Sequence, residues 1–222
     1  MRMKKGMIAA ALAVVMSLGS TAAFAAVESP KPEPAPSTYI DVNVQDHKKI
    51  TVTSEITEKE KGHVVKITSD QSSADQSKVV TLRVARTSTN KAVPITYVGD
   101  GKNGIFDSKS GRVVERVNLK SKKKMTLKKN VFKGSKVKKI TAIKGTKVKF
   151  EGNAFAGTKV TNPSLNLSVK SSTDYVIKKD AFKGLSNKAT VVITCKKKAT
   201  YRLMVKKLKH GGFKGTITWK KG

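Results

Sequence analysis

The sequence predicts a mainly β protein, in which a small N-terminal β region precedes a short repeat solenoid that ends in a helix and a strand. Apolar β-branched residues alternate with polar ones in the first half of the chain, as in strands with one buried face. A pattern centred on phenylalanine recurs three times in the second half, which is typical of a repeat architecture. Near the C-terminus, apolar residues recur at helical spacing before two glycines.

Residues 1–25 have the three parts of a secretory signal peptide. Arg2, Lys4 and Lys5 form the basic start, residues 7–18 are apolar, and residues 23–25 end on the small side chains that precede a cleavage site. The apolar stretch is too short for a membrane anchor, because a hydrocarbon core of about 30 Å needs about 20 residues. We therefore expect cleavage near Ala25 and a protein that is secreted or stays at the cell surface.

The next segment, residues 26–38, is predicted to be a linker. Four of the six prolines fall within residues 30–36, and alternate prolines favour the extended polyproline II conformation. From residue 39 to about residue 110, alternation predicts a small β region. Its apolar positions are Ile40, Val42 and Val44, then Val65 and Ile67, then Val80, Leu82 and Val84. Residues 69–77 are polar without periodicity and predict a loop.

Charge divides the chain after the signal peptide into two parts. Residues 26–116 contain 14 basic and 12 acidic side chains, whereas residues 117–222 contain 29 basic and three acidic ones. The second part therefore has a net charge of +26. Such an excess in an exported protein indicates a polyanionic partner outside the cell.

The repeat lies in this basic part, which we assign as a second domain over residues 111–222. Segments 128–134, 151–157 and 178–184 each have Asn or Asp two residues before a phenylalanine and Gly two residues after it. The phenylalanines are Phe132, Phe155 and Phe182, and apolar pairs stand seven and five residues before each of them. Spacings of 23 and 27 residues suit one coil of a solenoid. We expect the phenylalanines in the core and the Asn, Asp and Gly residues in turns.

These segments resemble the BspA-type leucine-rich repeats of secreted and surface proteins of bacteria. Residues 153–157 and 180–184 match the recurring Asn-Ala-Phe-x-Gly phrase of that family, and residues 136–141 resemble the lysine-rich strand that follows it. The resemblance covers about residues 110–222 and implies a role in adhesion or protein interaction. Val131 in place of the usual Ala, the Asn162–Pro163 pair and the longer third copy depart from the pattern.

The C-terminal residues predict a cap for the repeat. Tyr201, Met204, Val205 and Leu208 recur at helical spacing, and Gly211–Gly212 ends the helix. Residues 213–219 alternate as a final strand.

No enzyme active site, cofactor or metal site is predicted. Glycoside hydrolysis needs two carboxylates across a cleft. The basic part has only three acidic residues, of which Asp174 and Asp180 lie near the turn of one repeat, and Glu55, Glu58 and Glu60 of the first part suit an exposed turn. His47, His63 and His210 have no ligand spacing and are expected at the surface. Residues 100–104 predict a hairpin turn rather than a calcium loop. Cys195 either packs in a strand or pairs between two chains.

Runs of lysine are the strongest functional signal, because lysines repeated along a solenoid give a regular array for a regular polyanion. The candidate polyanion-binding residues are Lys122, Lys123, Lys124, Lys128, Lys129, Lys136, Lys138, Lys139, Lys196, Lys197 and Lys198. The expected partner is an anionic cell-wall polymer, an acidic glycan or an acidic protein. Nucleic acid is disfavoured because the chain is exported and few aromatics remain to stack on bases. Alternatively, the repeats are a scaffold that presents the N-terminal β region for protein contact. The oligomeric state stays open.

Overall fold

A computed structural model describes residues 37–39, 50–57, 61–69, 79–86, 92–106, 114–121 and 123–222. The chain divides into two compact units, Met1–Glu33 and Pro34–Gly222, and the described residues all belong to the second. The predicted signal peptide, the strand expected at residues 40–44, most of the loop at 69–77 and the candidate Lys122 therefore lie outside the described residues.

The predicted mainly β class is confirmed, because the described residues form fourteen strands and one α-helix. The strands are β1 (Ser37–Tyr39), β2 (Ile50–Thr57), β3 (Lys61–Ser69), β4 (Val79–Leu82), β5 (Val84–Arg86), β6 (Ala92–Val98), β7 (Arg116–Leu119), β8 (Lys124–Leu127), β9 (Lys139–Ala142), β10 (Lys147–Phe150), β11 (Ser164–Ser168), β12 (Tyr175–Ile177), β13 (Thr190–Cys195) and β14 (Thr216–Lys221). The helix is α1 (Lys198–His210), and a 3₁₀ turn covers Ser172–Asp174.

The strands form two sheets, neither of which closes on itself. The first sheet has the order β1-β2-β3-β6-β8-β10-β12, with β5 antiparallel to β6. The second has the order β14-β13-β11-β9-β7-β4, and its strands are all parallel. From β6 to β13 the chain alternates between the sheets, so that consecutive strands of one sheet are separated by a strand of the other. α1 then separates β13 from β14, which both belong to the second sheet. Strands from both sides of residue 110 contribute to each sheet.

The core lies between the sheets because alternate residues of each strand point inward. In the first sheet, Met125 pairs with Val148, which pairs with Tyr175, and all three are buried. Leu119, Ala142, Leu167 and Ile193 form a corresponding buried row in the second sheet. These rows belong to one apolar cluster that extends from Val64 to Phe213.

The turns that follow β8, β10 and β12 share one conformation. Asn130, Asn153 and Asp180 have φ angles of 61°, 59° and 58°, a left-handed region that Asn and Asp tolerate better than most residues. Gly134, Gly157 and Gly184, four residues later in each copy, also have positive φ. The turns are linked by backbone hydrogen bonds, such as Asn130 N to Asn153 O (3.0 Å) and Asn153 N to Asp180 O (2.9 Å). Phe132, Phe155 and Phe182 are buried beneath them.

The predicted C-terminal helix is confirmed as α1, which buries Met204 and Leu208 and has Gly211 as its C-cap residue. Lys207 Nζ donates hydrogen bonds to the carbonyls of Ser172 and Tyr175, which ties the helix to the 3₁₀ turn. The final strand was expected from residue 213 but begins at Thr216. Phe213 instead packs edge-on against Phe182, with ring centroids 5.6 Å apart, and so continues the row of repeat phenylalanines.

The hairpin predicted at residues 100–104 is wrong. The strands on either side of it, β6 and β7, lie in different sheets, so this turn does not join two paired strands. The Asp100 carboxylate accepts hydrogen bonds from the backbone N–H groups of Lys102 (2.7 Å) and Asn103 (2.8 Å), which closes the turn locally.

Glu55, which was expected in an exposed turn, and His63, which was expected at the surface, both lie elsewhere. Glu55 lies within β2 rather than in a turn, because it pairs with His63 of β3. His63 is half-buried, with Nε2 3.1 Å from Gly99 O and its ring 5.0 Å from the Tyr97 ring. His210 is exposed at the end of α1, whereas His47, Glu58 and Glu60 lie outside the described residues.

Candidate anion-binding edge

The parallel strands place the turns at two opposite edges of the fold. Turns that run from the second sheet to the first, at residues 120–121 and 123, 143–146 and 169–174, lie at one edge together with the first residues of β8 and β10. Residues 196–197, which lead from β13 into the start of α1, lie at the same edge because β13 is parallel to β11. We call it the lysine edge. Turns that run from the first sheet to the second, at residues 128–135, 151–158 and 178–185, lie at the other and cover the phenylalanines. We call it the phenylalanine edge.

The lysines predicted to bind a polyanion are divided between these edges. Lys123 and Lys124 precede or begin β8, and the run 196–198 follows β13, so both groups lie at the lysine edge. Lys128 and Lys129 follow β8, whereas Lys136, Lys138 and Lys139 lead into β9, which places them at the phenylalanine edge. The fold does not bring the predicted residues together as one array.

Carboxylates accompany the lysines of the phenylalanine edge. Lys138 Nζ lies 3.1 Å from Glu115 Oε1, and Lys128 Nζ lies 3.7 Å from Glu151 Oε1. Lys149, on β10, also contacts Glu151 at 3.4 Å. Exposed salt bridges contribute about 0–1 kcal/mol to stability, but each carboxylate cancels a positive charge that a polyanion would otherwise meet. This edge is therefore partly neutralised.

The lysine edge has no such compensation among the described residues. Its one acidic side chain there is Asp174, which is 8% exposed and accepts a hydrogen bond from Ser171 N at 2.8 Å. Lys124 and Lys147 occupy paired positions of β8 and β10, and both are exposed. The described lysines of this edge, none of which forms a salt bridge, are Lys120, Lys123, Lys124, Lys144, Lys147, Lys170, Lys196, Lys197 and Lys198. An anion would meet uncompensated positive charge along its whole length.

A groove of about 170 Å³ lies at the C-terminal end of the lysine edge. Its cationic lining consists of Lys144, Lys170, Lys196 and Lys197. The hydroxyl-bearing residues Ser168, Thr194 and Thr200 also line it, together with Val169, Cys195 and Gly222. The groove thus combines lysines from three turns with hydroxyl-bearing residues at the ends of β11 and β13 and in the first turn of α1.

Two of these lysines, Lys144 and Lys170, were not identified from the sequence because neither belongs to a run. Lysines of this kind can be found from their positions relative to the ends of the paired strands. Lys170 and Lys196 each stand three residues after the last buried aliphatic residue that pairs across the second sheet, Leu167 and Ile193. Aligning the strands, rather than the lysine runs, brings such positions together.

The start of α1 forms part of the groove. Lys197 is the N-cap residue with φ −106° and ψ 131°, and its side chain makes no capping hydrogen bond. The first turn contains no acidic residue, although acids are favoured there by the helix dipole. Three consecutive lysines at this position make the local electrostatics unfavourable for the helix.

Cys195 is a free thiol at the end of β13, and 3% of the residue is exposed. Its Sγ donates a weak hydrogen bond to Lys197 O at 3.5 Å, so the side chain packs beneath the groove. In the described part of the chain, no three His, Cys, Asp or Glu residues are grouped as metal ligands would be. No helix in that part is long and apolar enough to cross a membrane.

Comparison of the chain with protein-family models, with curated proteins and with solved structures gave no match.

Proposed function

We propose that the protein is a non-enzymatic binding protein, secreted or held at the cell surface, that attaches to anionic polymers through its lysine edge. The candidate polymers are a cell-wall polyanion, an acidic glycan or the surface of an acidic protein. The observation that carries the proposal is that lysines from four successive turns share one edge, where the described residues include no exposed acidic side chain.

The spacing of these turns suits an extended ligand. Neighbouring strands lie about 4.8 Å apart, so lysines that follow consecutive strands of one sheet recur at that interval. Lysine is a compact, hydrated charge on a flexible stem, which favours diffuse attraction over recognition of a single planar group. A polymer with regularly spaced anionic groups could therefore contact several turns at once.

We also propose that the two sheets form a short BspA-like leucine-rich-repeat solenoid. Support comes from the parallel pairing of β8, β10 and β12 in one register and from the shared left-handed turn residues of the three copies. Export rests on residues 1–25 of the sequence alone.

A binding assay with matched variants tests the lysine edge. The chain from residue 26 onward would be applied to isolated cell walls and to acidic and neutral glycans, in salt from 0.1 to 1 M. The Debye length falls from about 10 Å to about 3 Å over this range, so retention on the acidic materials should fall steeply.

The variant K144Q/K170Q/K196Q removes three charges from the lysine edge, and K129Q/K179Q/K188Q removes three exposed charges from the phenylalanine edge. At about 0.5–1 kcal/mol per exposed charge, the first should weaken binding roughly 10- to 100-fold, and the second much less. Equal losses in both variants would refute the lysine edge as the site. Binding indifferent to salt would favour the alternative of a scaffold for protein contact.

A further inference from the structure

The groove at the end of the lysine edge differs from the rest of that edge because it is concave and contains hydroxyl donors. Lys120, Lys123 and Lys124 lie on turns outside it, whereas Lys144, Lys170, Lys196 and Lys197 line one cavity. A row of exposed lysines attracts any anion, but a cavity lined from several directions can enclose a single group. We propose that the groove is a specific site for a tetrahedral oxyanion, the phosphate or sulfate ester group of an anionic polymer.

The charge of the lining favours a doubly charged group. The four lysines come from the turn after β9, the turn after β11 and the turn after β13, so they approach from different strands. No Asp or Glu side chain of the described residues lines the groove. Lysines from three turns that line one groove repel one another, and a ligand with more negative charge offsets more of that repulsion. A phosphomonoester, which is nearly doubly charged above its second pKa of about 6, should therefore be held more tightly than a sulfate ester or a carboxylate, each of which carries one negative charge.

The donor types favour a tetrahedral group over a planar one. No arginine lines the groove, although arginine is the residue that pairs with a planar carboxylate through two parallel hydrogen bonds. Lysines and the hydroxyls of Ser168, Thr194 and Thr200 are donors whose hydrogens rotate, and they can meet oxygens that point in several directions. Ester sulfate and phosphate present three such oxygens.

The sequence at the start of α1 is consistent with an anion in the groove. Lys197 and Thr200 both line it, and Lys197–Lys198 begin the helix without a capping side chain or an acid in the first turn. Sequences that break a local rule tend to do so at functional sites. An anion bound in the groove would offset the unfavourable placement of lysines at this helix end.

This inference rests on the proposed function for the source of the oxyanion, but it can be tested without any polymer. Inorganic phosphate and inorganic sulfate would be titrated separately into the purified chain at constant ionic strength, with backbone amide NMR as the readout. Both should give saturable shifts concentrated at residues 168–170 and 194–200. Acetate at the same ionic strength should give none.

Two charge-matched variants locate the site. K144Q/K170Q should weaken phosphate and sulfate binding roughly 5- to 30-fold, whereas K129Q/K179Q, on the phenylalanine edge, should leave it unchanged. Shifts spread evenly over the lysine edge, or binding unaffected by K144Q/K170Q, would overturn the inference. Either result would leave salt-sensitive retention on polymers intact, so failure of the oxyanion site is distinguishable from failure of the proposed function.

The two sources are separated by pH. Phosphate takes up a proton near neutral pH and a sulfate ester does not, so a site that selects the dianion should lose affinity for phosphate between pH 8 and about pH 5 while its affinity for sulfate stays constant. A phosphomonoester and a sulfated monosaccharide, titrated in parallel, then identify which ester is held more tightly. Failure of both esters to bind where the inorganic ions do would overturn the assignment of the groove to a polymer-borne group.

Discussion

Phe132 and Phe155 stack with their ring centroids 4.5 Å apart and their planes inclined by 14°. The row continues on both sides, to Phe106 at 5.3 Å from Phe132 and to Phe182 at 5.6 Å from Phe155. Each turn of the phenylalanine edge therefore rests on the ring of the next. Removing a ring from the middle of the row leaves its two neighbours without contacts on one side.

Replacing Phe155 by alanine should lower the free energy of unfolding by about 3–5 kcal/mol, because a buried phenylalanine is lost and the parallel strands around it cannot collapse into the cavity. Urea unfolding followed by circular dichroism measures the change. Leu203→Ala is the control, since Leu203 is 48% exposed and should change stability by less than about 0.5 kcal/mol. Similar losses in the two variants would contradict a core role for the ring.

Asn153 should tolerate glycine better than alanine. Its φ of 59° places the backbone where a Cβ atom costs about 1–2 kcal/mol unless the side chain compensates, so Asn153→Ala should be less stable than Asn153→Gly by about 1 kcal/mol. At Asn166, within β11, the order should reverse because glycine weakens a strand. Unfolding midpoints of the four variants decide the matter, and the same order at both positions would contradict the turn geometry.

Acid should weaken the turn at Asp100. Partial desolvation acts to raise the pKa of this carboxyl, but hydrogen bonds from Asn103 and Lys102 outweigh it and hold the pKa below its ordinary value. A carboxyl with a depressed pKa in the folded state adds stability above its unfolded pKa of about 3.9, and that stability is lost as the pH falls through the folded pKa. Carbon-detected NMR titration of Asp100 should give a midpoint below that of an unstructured aspartate. A midpoint at or above it would contradict the hydrogen bonding, and Asp100→Asn should remove the acid-dependent change at this turn.

Gly215 should not accept a side chain. A Cβ at this position would lie 1.9 Å from Ala189 O, so β14 would have to move away from β13. We expect Gly215→Ala to destabilise the chain by about 1–3 kcal/mol, as overpacking does, and to speed amide hydrogen exchange in β14 selectively. Gly101→Ala is the control, because nothing lies within 4 Å of its added Cβ, and its backbone strain should leave exchange in β14 unchanged. Unaltered exchange in β14 of Gly215→Ala would be the contrary result.

The sequence predicted the local geometry of the repeats well because each turn depends on residues within it. The apolar residue seven positions before each repeat phenylalanine, which is Met125, Val148 or Tyr175, pairs with its counterparts in the structure. Asn130, Asn153 and Asp180 mark equivalent turns. The spacing of Met204 and Leu208 likewise predicted one buried face of α1.

The division of the lysines between the two edges could not be predicted from the sequence, because lysines that are close in sequence can lie at opposite ends of one strand. Lys124 and Lys128 are four residues apart, but β8 runs between them and carries them to opposite edges. Lys144 and Lys170 are far apart in the chain and line one groove. Only the pairing of strands across a sheet determines which turns meet.

The same limit explains the misassigned turn at Asp100. Alternation indicates that a segment is a strand with one buried face, but it does not say which sheet the strand joins. Val80 and Leu82 of β4 and Val84 of β5 continue one alternating pattern, yet β4 pairs with β7 and β5 pairs with β6. The partner is selected by contacts between residues distant in sequence.

The parallel stacking of turns gives the lysine edge a fixed linear charge density. With strands about 4.8 Å apart, each additional coil would extend a bound polyanion's footprint by one step and add its own contacts. Binding free energies of linked contacts accumulate, so affinity is multiplied with each coil that is engaged. A ligand shorter than the stack leaves some turns unoccupied, so its affinity lacks the contributions of those turns. The protein would therefore discriminate among polyanions by contour length as well as by chemistry, and its valence would be set by the number of coils.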